Sequence, residues 1–198
     1  MHFEKDILIA WGGKLKKYKK HETIFEEGQE ARFYHQVVEG AVRMFNINDS
    51  AGKEFTLGMY NAGESFGEPP VLINEVYPAH AACVTDAVIL TIPKENFIRI
   101  LHEYPDLHFK FTQLLAQRAW DRAITLKETM SNTPSTRILG FLKSYKKKVG
   151  NANQPILIPF TRQEIANFTG LRVETAIRTL NKMSQDGLVT IDNHKLYY

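Results

Sequence analysis

Apolar and polar positions change period along the chain, and the changes mark its parts. Between residues 23 and 92, short apolar runs are cut by turn residues about every ten positions. Thr23-Ile24-Phe25 precedes Glu26-Glu27-Gly28-Gln29, Phe33 to Glu39 leads to Gly40, and Ala41-Val42-Arg43-Met44-Phe45 runs to Asn46 and the turn-like Asn48-Asp49-Ser50-Ala51-Gly52-Lys53. Phe55 to Met59 then reaches Asn61-Ala62-Gly63-Glu64. Together with Ala79 to Thr85 and Ala87 to Ile92, this pattern predicts an antiparallel β-barrel or jelly roll.

From Pro93 the period becomes helical. Phe97, Ile98 and Leu101 predict a short helix ending at Tyr104-Pro105. Asp106 to about Ser131 predicts a long one, with Phe111, Leu115, Ala119, Ala123, Leu126 and Met130 at three- and four-residue steps. Leu114, Trp120 and Ile124 widen its apolar surface beyond one stripe, enough to pack on the barrel and on a second copy of itself. Covering the barrel alone is the simpler use of that surface.

The last third predicts a helix-turn-helix. Ile165, Ala166 and Phe168 give a first helix its inward face, Gly170 allows a sharp turn, and Val173, Ile177 and Leu180 recur at helical spacing behind it. After Asp186-Gly187, the apolar stretches Leu188-Val189-Thr190-Ile191 and Lys195-Leu196-Tyr197-Tyr198 flank a polar tetrad as in a β-hairpin, and Pro155 to Pro159 supplies a third strand. This is the layout of a winged helix. The second helix of such a unit enters the DNA major groove, so the outward side chains Arg172, Glu174, Thr175 and Arg178 are those placed to reach base edges. A winged helix that reads two half-sites favours the dimer.

Charge follows the same division. The chain holds 25 Lys and Arg against 22 Asp and Glu, but residues 132–198 hold ten against four and residues 1–131 fifteen against eighteen. Only the C-terminal part suits a polyanion, which makes Lys143, Lys146, Lys147, Lys148, Arg162, Arg172, Arg178 and Lys182 candidates for phosphate or base contact. Lys146 to Lys148 also close a helix before Gly150, where cations favour the helix dipole. Ser131-Asn132-Thr133-Pro134-Ser135 can stop one helix and start another. Two domains are expected, 1–131 with the long helix at about 106–131, and 132–198. The fold class is α+β.

No apolar run is long enough to span a membrane and the N-terminus lacks signal-peptide character, so a soluble, cytoplasmic protein is expected. Cys83 is the single cysteine, a core residue by its Ala81-Ala82-Cys83-Val84 setting, which argues against a four-cysteine cluster. His21, His35, His80 and His102 are scattered, so no metal site and no cofactor are expected. No catalytic residue stands out: a nucleophile motif and a phosphate-cradling loop are absent, and the paired carboxylates Glu26-Glu27 and Glu64/Glu68 fall at turns, where solvated residues are expected.

β-barrel, long helix and winged helix in this order, with Gly63-Glu64-Ser65-Phe66-Gly67-Glu68 and the opening Thr161-Arg162-Gln163-Glu164-Ile165-Ala166, resemble the CRP/FNR superfamily of bacterial regulators over essentially the whole chain. The resemblance implies a barrel that senses an effector, a long helix that forms a homodimer, and paired recognition helices that read a palindrome in double-stranded DNA, with RNA polymerase as a further partner and no membrane. Glu174 and Arg178 match the family's base-contacting glutamate and arginine, in keeping with glutamate accepting from cytosine and arginine pairing with guanine. Val173-Glu174-Thr175 looks like the FNR branch, whereas Ile177 stands where that branch commonly has serine. A half-site with a TGA-like core is the resulting expectation.

In the effector pocket the resemblance is incomplete. Cyclic-nucleotide-binding members follow the Gly-Glu pair with Arg-Ser-Ala or Arg-Thr-Ala, whose arginine neutralises the cyclic phosphate. Here the matching segment is Tyr77-Pro78-Ala79, which supplies no positive charge, and Pro78 has no N–H to donate. Gly67 and Glu68 remain, Glu68 matching the ribose-binding carboxylate, with a turn and a buried hydrogen-bonding group as the alternative use of the pair, and Arg122-Ala123 replace a polar pair on the long helix, where Arg122 is a candidate substitute charge. Control by cyclic AMP is therefore not expected, which leaves either an unidentified small-molecule effector or constitutive DNA binding. Two alternatives stay open: a cyclic-nucleotide-responsive regulator, and an effector-binding barrel that regulates a protein partner through its winged helix.

Overall fold

A computed structural model describes residues 3–48, 53–130, 133–149 and 154–198. The expected turn residues Asp49 to Gly52, the helix stop Ser131-Asn132 and Gly150 lie outside the described residues, as do the side chains of Leu126, Met130 and Lys148. The chain divides into two compact units within its longest helix, between Gln117 and Arg118.

The first unit opens with α1 (Lys5–Ala10), followed by β1 (Lys14–Tyr18), β2 (Thr23–Phe25), β3 (Phe33–Glu39), β4 (Ala41–Asn48), β5 (Lys53–Asn61) and β6 (Ser65–Phe66). A short α2 (Glu68–Ile73) precedes β7 (His80–Cys83), β8 (Ala87–Pro93), α3 (Lys94–Glu103) and the start of α4 (Pro105–Met130). The strands form two four-stranded antiparallel sheets, ordered β1-β8-β3-β6 and β2-β7-β4-β5, so the β architecture is a jelly roll. Its core is aromatic at one end. Tyr34 stacks on Phe97 at 4.1 Å between ring centroids, and Phe3 and Phe111 meet them edge-on or tilted at 5.4–6.4 Å, which fastens α3 and the first turns of α4 to β3. Cys83 is buried, as its apolar surroundings predict, and burial raises its thiol pKa to about 11.

Four of these elements escape the sequence pattern. β1 carries lysine at 14, 16 and 17 and buries only Tyr18, because it is an edge strand; lysines there keep a free edge from pairing with another chain. α1 is six residues long and β6 two, too short to show a period. α2 begins where a turn was expected, with Pro69 and Pro70 in its first positions, where missing N–H groups cost nothing.

The second unit holds the rest of α4, then α5 (Pro134–Val149), β9 (Leu157–Ile158), α6 (Arg162–Thr169), α7 (Val173–Gln185), β10 (Thr190–Asp192) and β11 (Lys195–Tyr197). The three strands form an antiparallel sheet ordered β10-β11-β9. Its hairpin turns through Asn193 and His194 with φ of 45° and 63°, the two positive values a type I′ turn requires. Ile138, Leu142, Ile158, Ile165, Leu180 and Leu196 are among the residues closing one core beneath α5, α6, α7 and the sheet.

Candidate nucleic-acid interface

The helix pair is set by local chemistry. Thr161 caps α6: its hydroxyl accepts from the Glu164 N–H at 3.1 Å while the Glu164 carboxylate accepts from the Thr161 N–H at 2.7 Å. Gly170 ends α6 at φ 65°, a left-handed conformation that turns the chain into α7, and the Leu171 N–H donates back to Ala166 O at 3.0 Å. Thr169 Oγ1 donates to Ile165 O at 2.7 Å inside the turn, and the Arg137 guanidinium of α5 donates to Thr169 O at 3.3 Å. The angle between the two helices is thus held by backbone and buried hydrogen bonds, apart from the outward side chains.

α7 is strongly two-sided. Ala176, Leu180 and Met183 are buried, whereas Glu174, Ile177, Arg178, Asn181, Lys182 and Gln185 are exposed on the opposite face. Thirteen residues make it about 20 Å long, and a helix about 10–12 Å across matches a major groove about 12 Å wide. Arg172 is exposed at the N-cap, Thr175 is half-buried, and Arg162 is half-buried at the start of α6, where burial lowers its pKa without removing its charge at neutral pH.

One sequence expectation is corrected on this helix. Ile177 was assigned with Val173 and Leu180 to the inward face, but it is 41 % exposed and lies outward between Glu174 and Asn181. The helical wheel explains it: the buried stripe runs through Ala176, Leu180 and Met183, and position 177 falls one residue beyond its edge. Asn181 was missed for the same reason, although it lies a full two turns from Glu174 and so on the same side. Both line the open depression along α7 and a second one bounded by β9, Arg162 and the hairpin residues His194 and Lys195. On α5, Lys143 and Lys147 are exposed, while Lys146 is half-buried with its ammonium 5.2 Å from the Tyr198 ring centroid.

In the first unit, the predicted effector residues come together as packed core. Tyr77 is buried, its ring stacked on Phe25 with centroids 3.6 Å apart, and its hydroxyl donates to Phe33 O at 3.1 Å. Burial, and the nearby Glu68 carboxylate, push the Tyr77 phenol well above its ordinary pKa. Gly67 has φ 70°, and a Cβ there would stand 3.0 Å from Phe25 and 3.2 Å from Tyr77, so glycine is needed both for the turn and for the close approach of the rings. Ala79 is buried, and Pro78 O accepts from Asn46 Nδ2 at 2.8 Å. Arg122 is exposed on α4 in the second unit.

The expectation of solvated carboxylates at these turns is corrected for Glu68 alone. Glu68 is 1 % exposed at the head of α2, where the helix N-terminus favours a carboxylate, and Glu64 Oε2 accepts from the Asn61 N–H at 2.8 Å to close its turn. His35, which the sequence left among scattered histidines, lies in the same cluster. Its ring stacks on Phe66 at 5.3 Å and tilts on Phe25 at 5.4 Å, and burial, outweighing a hydrogen bond with the Phe33 backbone, lowers its pKa to about 3. The described residues contain no group of histidines, cysteines and carboxylates arranged to hold a metal, and no helix long and apolar enough to cross a membrane.

Comparison with known proteins matches both units. Residues 15–104 match the cyclic nucleotide-binding domain and residues 136–197 the Crp-like helix-turn-helix domain. Similar relatives include the transcriptional activator protein anr of Pseudomonas aeruginosa, 26% identical over 90% of this chain and 74% of the relative. The cyclic AMP receptor protein of Thermus thermophilus is 26% identical over 88% of this chain and 78% of its own. Among solved structures, the c-di-GMP-responsive regulator CLP of Xanthomonas campestris shares the fold with a TM-score of 0.80 at 21% identity, covering 97% of this chain and 98% of that one. Matches to a cyclic nucleotide-binding domain and a Crp-like helix-turn-helix in one chain, with transcriptional regulators among its relatives, make this protein a member of the CRP/FNR superfamily of transcriptional regulators.

Proposed function

We propose that the protein is a homodimer that binds a palindromic site in duplex DNA through α7, and that it does so without control by cyclic AMP. The observation that carries the DNA reading is the shared outward face of Glu174 and Arg178 on a helix whose other face is fully used by the core. Glu174 accepts from a cytosine amino group and Arg178 pairs with guanine O6 and N7, in a half-site with a TGA-like core. Arg162, Arg172, Thr175 and Lys182 contact phosphate or base edges beside them. Residues 132–198 form the DNA-binding domain and residues 1–131 the effector domain with its dimerisation helix. RNA polymerase is the further partner, and the protein is not an enzyme.

The nucleotide reading rests on Tyr77. A cyclic phosphate needs a cation and hydrogen-bond donors, and the segment at 77–79 turns an aromatic ring onto Phe25 instead, with its hydroxyl already donated to Phe33 O. Selection of bound duplexes from a random pool by the purified protein, with and without cyclic AMP, tests both halves. An enriched palindrome in both arms supports the proposal. Enrichment only with the nucleotide overturns the cyclic AMP part, and no enrichment in either arm points to a missing effector or to protein docking.

A further inference from the structure

We infer that Arg137 of α5 is a positioning residue for base reading: it holds the peptide through which α6 turns into α7, and so sets how Glu174 and Arg178 meet the bases without touching DNA itself. This deepens the DNA reading above and rests on it. Thr169 O is the last carbonyl of α6, one of those that a helix leaves without an intrahelical amide to accept from. Ala166 O takes the Gly170 and Leu171 N–H groups, and Ile165 O takes the Thr169 hydroxyl. Thr169 O takes the Arg137 guanidinium at 3.3 Å, with Thr169 buried and Arg137 half-buried. Phe141, one turn after Arg137 on α5, stacks on Phe168 with ring centroids 4.8 Å apart, so side chains at i and i+4 meet the same end of α6. Ile138 and Leu142, fully buried beside them, anchor α5 in the core of the unit.

The chemistry at this point suits an arginine. The carbonyls at a helix C-terminus carry the negative end of its dipole, which favours a cation, and the planar guanidinium holds its donors in a fixed direction. The accepting carbonyl belongs to the peptide between Thr169 and Gly170, and turning that plane changes the φ of Gly170, the left-handed torsion through which the chain leaves α6. α7 begins at Val173, so an error at the turn is carried along the whole helix. A tilt of about 10° there moves the backbone of Arg178, about 8 Å along, by about 1 Å. A bidentate contact to guanine tolerates much less than that, whereas a lysine ammonium acts on a phosphate as a point charge and follows the shift. Loss of the Arg137 bond therefore costs sequence reading and spares the general attraction to duplex DNA.

The test uses the full-length protein, the duplex enriched from the random pool and a scrambled duplex. Affinity is measured for the parent, Arg137→Met and Arg137→Lys, each also combined with Arg178→Ala, and every protein is melted. Arg137→Met keeps an unbranched apolar stem without the donors; it is expected to lose about tenfold on the enriched duplex, the scale of one hydrogen bond from a charged donor, and less than about twofold on the scrambled one. Arg137→Lys returns a cation without the planar fork and is expected to recover part of the loss. Combined with Arg178→Ala, the change to Met is expected to cost little further, because the side chain it misplaces is gone. Equal losses on both duplexes overturn the inference and leave Arg137 a phosphate contact or a general support of the fold. A loss undiminished in the Arg178→Ala protein overturns it too, since Arg137 then acts apart from that base contact. If Arg137→Met melts before it can be assayed, Arg137→Lys carries the same comparisons. An Arg178→Ala protein that loses equally on both duplexes strikes the base reading itself, a failure distinct from that of Arg137.

Discussion

At the scale of single residues, the outward face of α7 separates reading from holding. Arg178 is exposed one turn from Glu174, where the proposed function gives it a bidentate contact to guanine, whereas Lys143 is exposed on a different helix, α5. Arg178→Ala is expected to cost about 1–3 kcal/mol at the selected site and to relax one base position, while Lys143→Ala weakens binding to selected and scrambled duplexes alike. Equal losses on both duplexes for Arg178→Ala would remove it from base reading. In the other unit, His35 makes stability depend on pH. Its folded pKa, about 3, lies below the unfolded value near 6.5, so the unfolded chain takes up the proton first. The contribution is complete above pH 6.5 and is lost as pH falls toward 3. His35→Phe keeps a ring against Phe66 and cannot be protonated, so between pH 7.5 and pH 5 the parent should lose about 2 kcal/mol more than this variant in urea unfolding of the full chain. Parallel loss in both proteins would show that His35 is not what titrates.

At the scale of elements, legibility in the sequence tracked how one-sided each element is. β3, β4, β5, β8 and α7 were readable because turn residues or a core stripe bound them, and the winged layout was readable from the order of α6, α7 and the hairpin. β1 was not, since an edge strand that buries Tyr18 alone and shows lysine to solvent has no alternation to detect. Ile177 was misassigned because spacing names a helix and only packing decides which of two adjacent apolar positions it buries. His35 joins the Gly67–Tyr77 cluster through the pairing of β3 with β6, which sets it against Phe66 from a distant part of the chain, so its place there left no local signal. α4 is the element on which the proposed homodimer rests. Trp120 and Ile124 are four residues apart, 65% and 40% exposed, and share one side of the helix. If that side meets a second copy, Trp120→Glu should convert the dimer to a monomer in sedimentation at micromolar concentration and lower affinity for the palindrome by at least tenfold, leaving half-site affinity unchanged. A variant that remains dimeric would move the interface elsewhere.

At the scale of the whole molecule, charge divides as the functions are proposed to divide. Residues 132–198 carry net +6, ten basic against four acidic, and residues 1–131 carry net −3, fifteen against eighteen, so attraction to a polyanion falls on the C-terminal part alone. Each phosphate neutralised by a lysine or arginine releases condensed counterions, and the logarithm of the affinity then falls with the logarithm of salt by about 0.9 per phosphate. Arg162, Arg172, Lys182 and the α5 lysines allow three to five phosphate contacts in each protomer, six to ten in a dimer. Raising salt from 50 to 200 mM should therefore weaken binding to any duplex by about a thousandfold or more. On the selected palindrome the slope should stay close to that on scrambled DNA while the absolute affinity stays higher, because the proposed base contacts by Glu174 and Arg178 release few counterions. A slope near zero would mean that phosphates are not the partner of the basic surface, and the winged helix would then be a docking module for protein.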